Sequence, residues 1–194
     1  MSKRIIFATG NMDKMKEIRE VLKDLDYEIL SMKEAGLELE VEETGSTFEE
    51  NALLKASAIA KLCNDIVLAD DSGLEIDYLN KEPGIYSARY LGHDTSYDYK
   101  NKKILEKLEG VEKQQRTARF VCAIAAVFPD GHSLVKRATI EGEIGLEIAG
   151  EGGFGYDPIF YVPEYGCTTA ELSPEQKNEI SHRGKALRMI KEEL

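Results

Sequence analysis

Residues 4–31 read RIIFATGNMDKMKEIREVLKDLDYEILS, and how this stretch divides decides the fold. Arg4 to Ala8 form a short apolar run closed by Thr9, Gly10 and Asn11, the pattern of a strand entering a loop. Asn11 can cap a helix, and Met15, Ile18, Val21, Leu22 and Leu25 recur at three- and four-residue spacing, which predicts one apolar helical face. YEILS at 27–31 predicts a second strand. Two strands joined through one helix make a βαβ unit with a right-handed crossover, so the class is α/β.

Outward from this unit the pattern continues. The acidic segment LELEVEETGS leads to Thr47 and Glu50, which fit a capping box. Ala52, Ala56, Ile59, Ala60 and Cys63 then mark one face of a helix. DIVLAD at 65–70 reads as a buried strand, continued by the alternating GLEID, and Pro83-Gly84 signals a turn. A polar helix is predicted over Ser96–Leu108. TARFVCAIAAVF and ATIEGEIGLEI read as two long strands, with Phe120, Cys122 and Ile124 on one and Ile140, Ile144, Leu146 and Ile148 on the other. PDGH at 129–132 supplies their hairpin turn. Near the end, Ser173, Pro174 and Gln176 give a helix start. On one unbroken helix Lys177 and His182 would lie about 140° apart. A break near Ile180, with Ser181 capping a second helix, would bring Lys177, His182 and Arg183 toward one cleft. The spacing leaves both open. With no repeat, low-complexity tract or linker, 1–194 reads as a single domain with a mixed sheet, with room for two lobes around a cleft.

Composition excludes several classes. A chain of 194 residues with 42% apolar content can build its own core without staples. Its three cysteines, Cys63, Cys122 and Cys167, are odd in number, lack CxxC spacing and sit in or beside apolar stretches, so free thiols in a reducing compartment are expected. The basic start MSKRIIFATGN carries too short an apolar run for a signal sequence. Nothing approaches the roughly 20 apolar residues of a membrane span. A cytoplasmic protein is expected. A net charge of −11 argues against a nucleic acid polymer as partner. It leaves a small anion possible, since a few lysines can dominate a local field.

Four places carry chemistry. ATGNMDK at 8–14 joins a strand, a small-residue turn and a helix N-terminus, where exposed N–H groups, the helix dipole and Lys14 suit a phosphate. An ordinary Asn-capped helix reads the same way, and no G-x-x-x-x-G-K-[ST] run is present. EETGSTFEENALLKA at 42–56 sets Glu42, Glu43, Glu49 and Glu50 around a helix start and places Lys55 in an apolar run, where it either snorkels or reaches an anion. Asp70 and Asp71 stand at the mouth of an apolar strand; their oxygens suit Mg²⁺, and one could take a proton from water. GEGGFGYDPIF at 150–160 offers Phe154 and Tyr156 to a nucleobase across a glycine loop, with Asp157 to accept a ring N–H. Together these suit a nucleoside polyphosphate.

At this point a resemblance is specific. TGNMDK, EETGSTFEENALLKA, ADDSGLEIDYLNKEPGIYSARY, GEGGFGYDPIF and SHRGKA, in that order from residue 9 to residue 186, resemble the inosine triphosphate pyrophosphatase (Ham1-like) family of non-canonical purine nucleotide pyrophosphatases. The resemblance implies hydrolysis of ITP, dITP and XTP to monophosphate and pyrophosphate, with one Mg²⁺ per subunit and Mn²⁺ as a substitute. It implies an elongated α/β domain, a long mixed sheet flanked by helices, two lobes around an active-site cleft, and a homodimer. Carried over by position, Thr9, Gly10, Asn11, Met12, Asp13 and Lys14 would hold the phosphates, with Lys55 and Ser72. Glu42, Asp71 and Asp70 would serve the metal, and Asp71 would be the proton acceptor. Phe154, Gly155, Tyr156 and Asp157 would embrace the base, helped by Lys177, His182 and Arg183, with His182 or Arg183 donating to the 6-keto group. The rivals are a Maf-type pyrophosphatase, a nucleotide sensor that does not hydrolyse, and a phosphatase releasing orthophosphate. SHR and FGYD speak against the first, and the intact acids against the second.

Overall fold

The computed structural model describes residues 3–194; the first two residues of the N-terminal stretch read above lie outside it. The opening unit folds as its pattern requires. β1 (Arg4–Phe7) is buried from Ile5 to Phe7, as befits a strand covered on both faces, and pairs in parallel with β2 (Glu28–Ser31), Ile5 opposite Ile29. Between them runs α1 (Met12–Leu22), whose Met15, Ile18 and Leu22 are buried. Its N-terminus is closed by Asn11, whose side-chain oxygen accepts the N–H groups of Asp13 and Lys14.

α2 (Phe48–Ala60) begins at Thr47, which accepts the Glu50 N–H at 3.1 Å. Only half of the expected capping box forms, because the Glu50 carboxylate turns to the Ser46 N–H and hydroxyl instead. The helix ends before Cys63, so that residue lies beyond the face assigned to it. β3 (Ile66–Ile76) is one continuous strand, parallel to β1. Asp70 and Asp71 are thus in mid-strand, a correction to their placement at a strand end. α3 (Tyr97–Lys107) follows its Ser96 cap.

β4 (Thr117–Val127) is buried at nearly every position, more completely than an alternating pattern suggests, because it lies between β3 and β5 in the sheet. β5 (Ser133–Ile144) starts earlier and stops sooner than expected. The Gly145 N–H turns to the Ile159 carbonyl, and Leu146, read as part of the apolar face, is 83% exposed. Two short strands the sequence reading did not assign, β6 (Phe160–Val162) and β7 (Cys167–Thr168), extend the sheet by antiparallel pairing. The order is β2-β1-β3-β4-β5-β6-β7, a mixed seven-stranded sheet among the described residues. The chain closes with α4 (Pro174–Ile180), an extended Ser181, and α5 (His182–Lys191), so the break near Ile180 is present.

Two compact units emerge. The first comprises residues up to Asp71, Cys122–Ala138 and Arg183–Leu194, and the second Ser72–Val121 and Thr139–His182. The first packs Ile5, Phe7, Met15, Ile18, Leu68, Ile124 and Leu187 into one core. The second packs Leu74, Ile76, Ile104, Phe120, Ile144 and Phe160 into another. Each such side chain contributes about 1.5–3 kcal/mol when fully buried. The three cysteines are free, and burial first, with Asp70 adding, pushes the Cys122 thiol up to about 12, which leaves it inert. Among the described residues no helix is long and apolar enough to cross a membrane.

Candidate active site

In the first unit the adjacent aspartates meet opposite surroundings, since successive side chains of a strand project to opposite faces. Asp70, 1% exposed, receives Lys14 Nζ at 3.1 Å and both Arg183 Nε and Nη2 at 3.3 Å. Burial alone would raise its carboxyl pKa. Lys14, Arg183 and Lys55 outweigh burial and hold it well below the usual range. Arg183 is equally enclosed: Nη1 donates to Glu17 at 2.6 Å, and the two acids keep the guanidinium charged against the cost of burial. Lys14 and Arg183 therefore meet at one carboxylate.

Asp71, 6% exposed, has no such set. Oδ1 is 3.9 Å from Lys55 Nζ, and Oδ2 is buried with no hydrogen-bond partner among the described residues. Burial raises its carboxyl, Glu43 and Asp70 add to the effect, and Lys55 and Asn51 oppose it only in part; the result is pushed up to about 6. Lys55 Nζ donates to Glu43 at 3.0 Å and stays charged because Asp70, Asp71 and Glu43 override its burial. Glu43 is thus the acid of the EET run that the structure brings to Lys55 and Asp71, while Glu42 is exposed. Neighbouring charges single out one member of an acidic run only in three dimensions, so sequence alone could not separate the two.

A buried carboxylate beside a second carboxylate is a donor set that a hard divalent cation satisfies, so these residues fit Mg²⁺. Among the described residues no group of three or more His, Cys, Asp or Glu side chains forms a cage. A partial protein set is usual for Mg²⁺, which keeps several waters and binds substrate phosphates. Along the 9–14 turn, Thr9 Oγ1 accepts the Asn11 N–H at 3.1 Å. Gly10, Asn11, Met12 and Asp13 are exposed, and Lys14 is half-buried. Ser72, half-buried, opens the second unit.

The second unit holds the glycine-aromatic loop, organised around Asp157. This carboxylate, 3% exposed, accepts Lys177 Nζ at 2.6 Å and the Phe154 N–H at 2.9 Å on Oδ2, and Thr169 Oγ1 at 2.7 Å on Oδ1. Both oxygens are engaged, so Asp157 braces the loop. Gly153 is required there: its φ is +65°, and a Cβ would stand 2.2 Å from Asp157 Oδ2. Lys177 Nζ also lies 4.6 Å from the Phe154 ring centroid. Tyr156 is buried, its hydroxyl donating to the Ser87 carbonyl at 2.6 Å and its ring set edge-on to Tyr97 at 5.2 Å. Phe154 is the partly exposed ring of this loop. His182 stacks on Phe120 at 4.8 Å. In this unit Lys177 pairs with Asp157 and His182 stacks on Phe120, and in the first unit Arg183 pairs with Asp70 and Glu17.

Helix α3 supplies anchors that the sequence reading missed. Asn101 Nδ2 donates to the Gly155 carbonyl at 3.1 Å, and Lys100 Nζ donates to the Ala88 carbonyl at 2.7 Å. With Tyr97, these residues at i, i+3 and i+4 share one helix face. YDYKNKK reads as uniformly polar, so only the burial of Lys100 and Asn101 reveals that face.

Known proteins resemble the chain over its whole length. A dITP/XTP pyrophosphatase of Clostridium perfringens is 48% identical over 99% of this chain and 97% of the relative. One of Desulforamulus reducens is 50% identical over 98% and 95%. Among solved structures, the Staphylococcus aureus Ham1 protein superposes with a TM-score of 0.87 at 47% identity, covering 98% of this chain and 97% of that one. A HAM1 protein from Coxiella burnetii gives 0.88 at 43%, with the same coverage. The Ham1 family model matches residues 5–193. The resemblance read from five sequence blocks is borne out, and the chain belongs to the Ham1 family.

Proposed function

We propose that the protein hydrolyses the non-canonical purine nucleotides dITP, XTP and ITP to the monophosphate and pyrophosphate, removing them from the nucleotide pool. The observation that carries the reading is Asp71, a buried carboxylate with one unpartnered oxygen beside Lys55 and Glu43, in a chain about half identical to dITP/XTP pyrophosphatases. A buried polar atom left without a partner is costly in a structural role and useful in a chemical one.

In this reading the first unit handles the triphosphate. Lys14, Lys55 and the N–H groups of the 9–14 turn take the phosphates. Gly10 has open space where a Cβ would stand, which favours close approach of an anion. Asp71 and Glu43, rather than the exposed Glu42 that the resemblance implies, would hold Mg²⁺, with Mn²⁺ as a substitute. When bound there, Mg²⁺ supplies charge neutralisation for the departing pyrophosphate. Asp71 accepts the proton of the water that attacks the α-phosphorus. Asp70 acts by keeping Lys14 and Arg183 in place rather than by taking a proton, because two cations already hold it ionised.

The second unit handles the base. Phe154 offers a ring for stacking. Lys177 and His182 bring donors that suit the 6-keto group of hypoxanthine and xanthine and mismatch the amine of adenine, and such a mismatch can change rates by orders of magnitude. The resemblance also carries a homodimer and a cytoplasmic setting into the proposal. The test is parallel incubation with dITP, ITP, XTP, GTP and ATP in Mg²⁺, resolving pyrophosphate from orthophosphate, with one run in ¹⁸O water. The reading expects pyrophosphate from the first three, GTP and ATP largely spared, and label in the monophosphate. Orthophosphate release, or label in pyrophosphate, overturns it.

A further inference from the structure

Asn51 lies on α2, in the first turn after the Thr47 cap, and is fully buried. Its carboxamide is engaged at one end. Oδ1 accepts the Gly45 N–H at 2.8 Å, while the buried Nδ2 has no hydrogen-bond partner among the described residues. The orientation is dictated chemically, because the Gly45 N–H is a donor and needs the amide oxygen. The approach is also enforced sterically: a Cβ at Gly45 would stand 2.6 Å from Asn51 Oδ1 and 2.7 Å from Glu50 Cβ. Nδ2 is therefore directed away from Gly45.

Lys55 sits one turn further along the same helix, so the two side chains share a face. Lys55 reaches Glu43 at 3.0 Å and lies 3.9 Å from Asp71, while Asn51 reaches Gly45. One face of α2 thus grips the 43–45 segment twice and borders Asp71. Asp71 Oδ2 is itself buried and without a hydrogen-bond partner among the described residues. A donor and an acceptor, both unsatisfied in one cluster, match the two ends of a single bound water. The Asn51 carboxamide and the Asp71 carboxyl are neighbours in this cluster.

We propose that Asn51 Nδ2 and Asp71 Oδ2 together hold the attacking water, the amide donating to its oxygen while the carboxylate faces its proton. The water's second lone pair is then free for the α-phosphorus. As the new O–P bond forms, the bond from the α-phosphorus to the bridging oxygen breaks, pyrophosphate leaves with that electron pair, and the water's proton passes to Asp71. The inference rests on the hydrolytic reading above and adds a residue that touches the reacting atoms.

The test uses Asn51→Asp, which keeps the shape and the acceptor for Gly45 but removes the donor, and Asn51→Leu, which removes both. Steady-state kinetics with XTP are measured beside direct binding of a non-hydrolysable analogue and urea unfolding. The expected result is a fall in kcat of at least about 30-fold in both variants, with KM and analogue affinity within about threefold of wild type. Should Asn51→Leu not fold, Asn51→Asp decides alone. A kcat within about threefold of wild type, or a loss that merely follows unfolding, overturns the inference while wild-type turnover leaves the hydrolytic reading standing. A wild type that releases no pyrophosphate overturns the hydrolytic reading and the inference with it.

Discussion

The acid cluster of the first unit and the Asp157 cluster of the second are both buried and both paired with lysine, yet they are built on opposite principles. Asp157 has both oxygens satisfied by three donors: an ammonium, a backbone N–H and a hydroxyl. That arrangement braces a loop and leaves nothing over for a reaction. In the first unit the same economy applies to Asp70, held by Lys14 and Arg183, but not to Asp71 beside it, whose Oδ2 is unsatisfied. Buried charge is tolerated where partners compensate it, and a deliberate shortfall at one position marks the place where chemistry is to occur. On the proposed mechanism, one peptide bond separates an acid used as scaffold from an acid used as reagent.

Substitutions can break or sharpen this contrast. Asp70→Asn takes away the carboxylate that Lys14 and Arg183 share inside a packed core and should destabilise the fold by about 3–5 kcal/mol, measured by urea unfolding. The same change at Asp71 should act in the opposite direction in metal-free buffer. Its folded carboxyl titrates near 6 against an ordinary 3.8, so the folded state binds the proton more tightly than the unfolded state. The associated stability is fully present below about pH 4 and is lost as pH rises through about 6. At pH 8, Asp71→Asn should therefore be more stable than wild type by up to about 3 kcal/mol, and the difference should vanish near pH 4. Equal stability at both pH values would remove the shortfall on which the contrast depends.

In the second unit, Asp157→Ala removes a charged hub whose hydrogen bonds are worth about 1.5–3 kcal/mol each. It should raise KM for XTP by about 10-fold or more while kcat falls less, as seen by steady-state kinetics. Asn101→Ala deletes one neutral hydrogen bond to the same loop and should raise KM only about fivefold, the smallest effect of the set. A kcat loss exceeding the KM change in either variant would place the second unit in the chemistry and dissolve the division of labour.

The sequence carried what is local. Asn11 as a helix cap and the Ser173–Gln176 capping box are decided within a few residues and were legible, whereas the break around Ser181 stood open beside one unbroken helix. The parallel β1–β2 pair followed from a strand, an amphipathic helix and a strand in succession. What depends on distant partners was not. Leu146 and Ile148 continue an alternating pattern, but Gly145 bonds to Ile159 and ends the strand before them. Asp70 and Asp71 read as equivalent neighbours until α1 and α5 supply cations to one and α2 brings a more distant lysine to the other. Asn51 and Asn101 gave no signal, because a buried asparagine and a surface one are the same letter.

The central claim is that Asp71 carries the chemistry while its neighbours bind and brace. Its most direct test is turnover of XTP by Asp71→Asn beside wild type in Mg²⁺, with pyrophosphate quantified and binding of a non-hydrolysable analogue measured on the same preparations. The account predicts kcat reduced by about 10³-fold or more, with analogue affinity within about tenfold of wild type. Pyrophosphate release at near the wild-type rate would contradict it and remove Asp71 from the reaction.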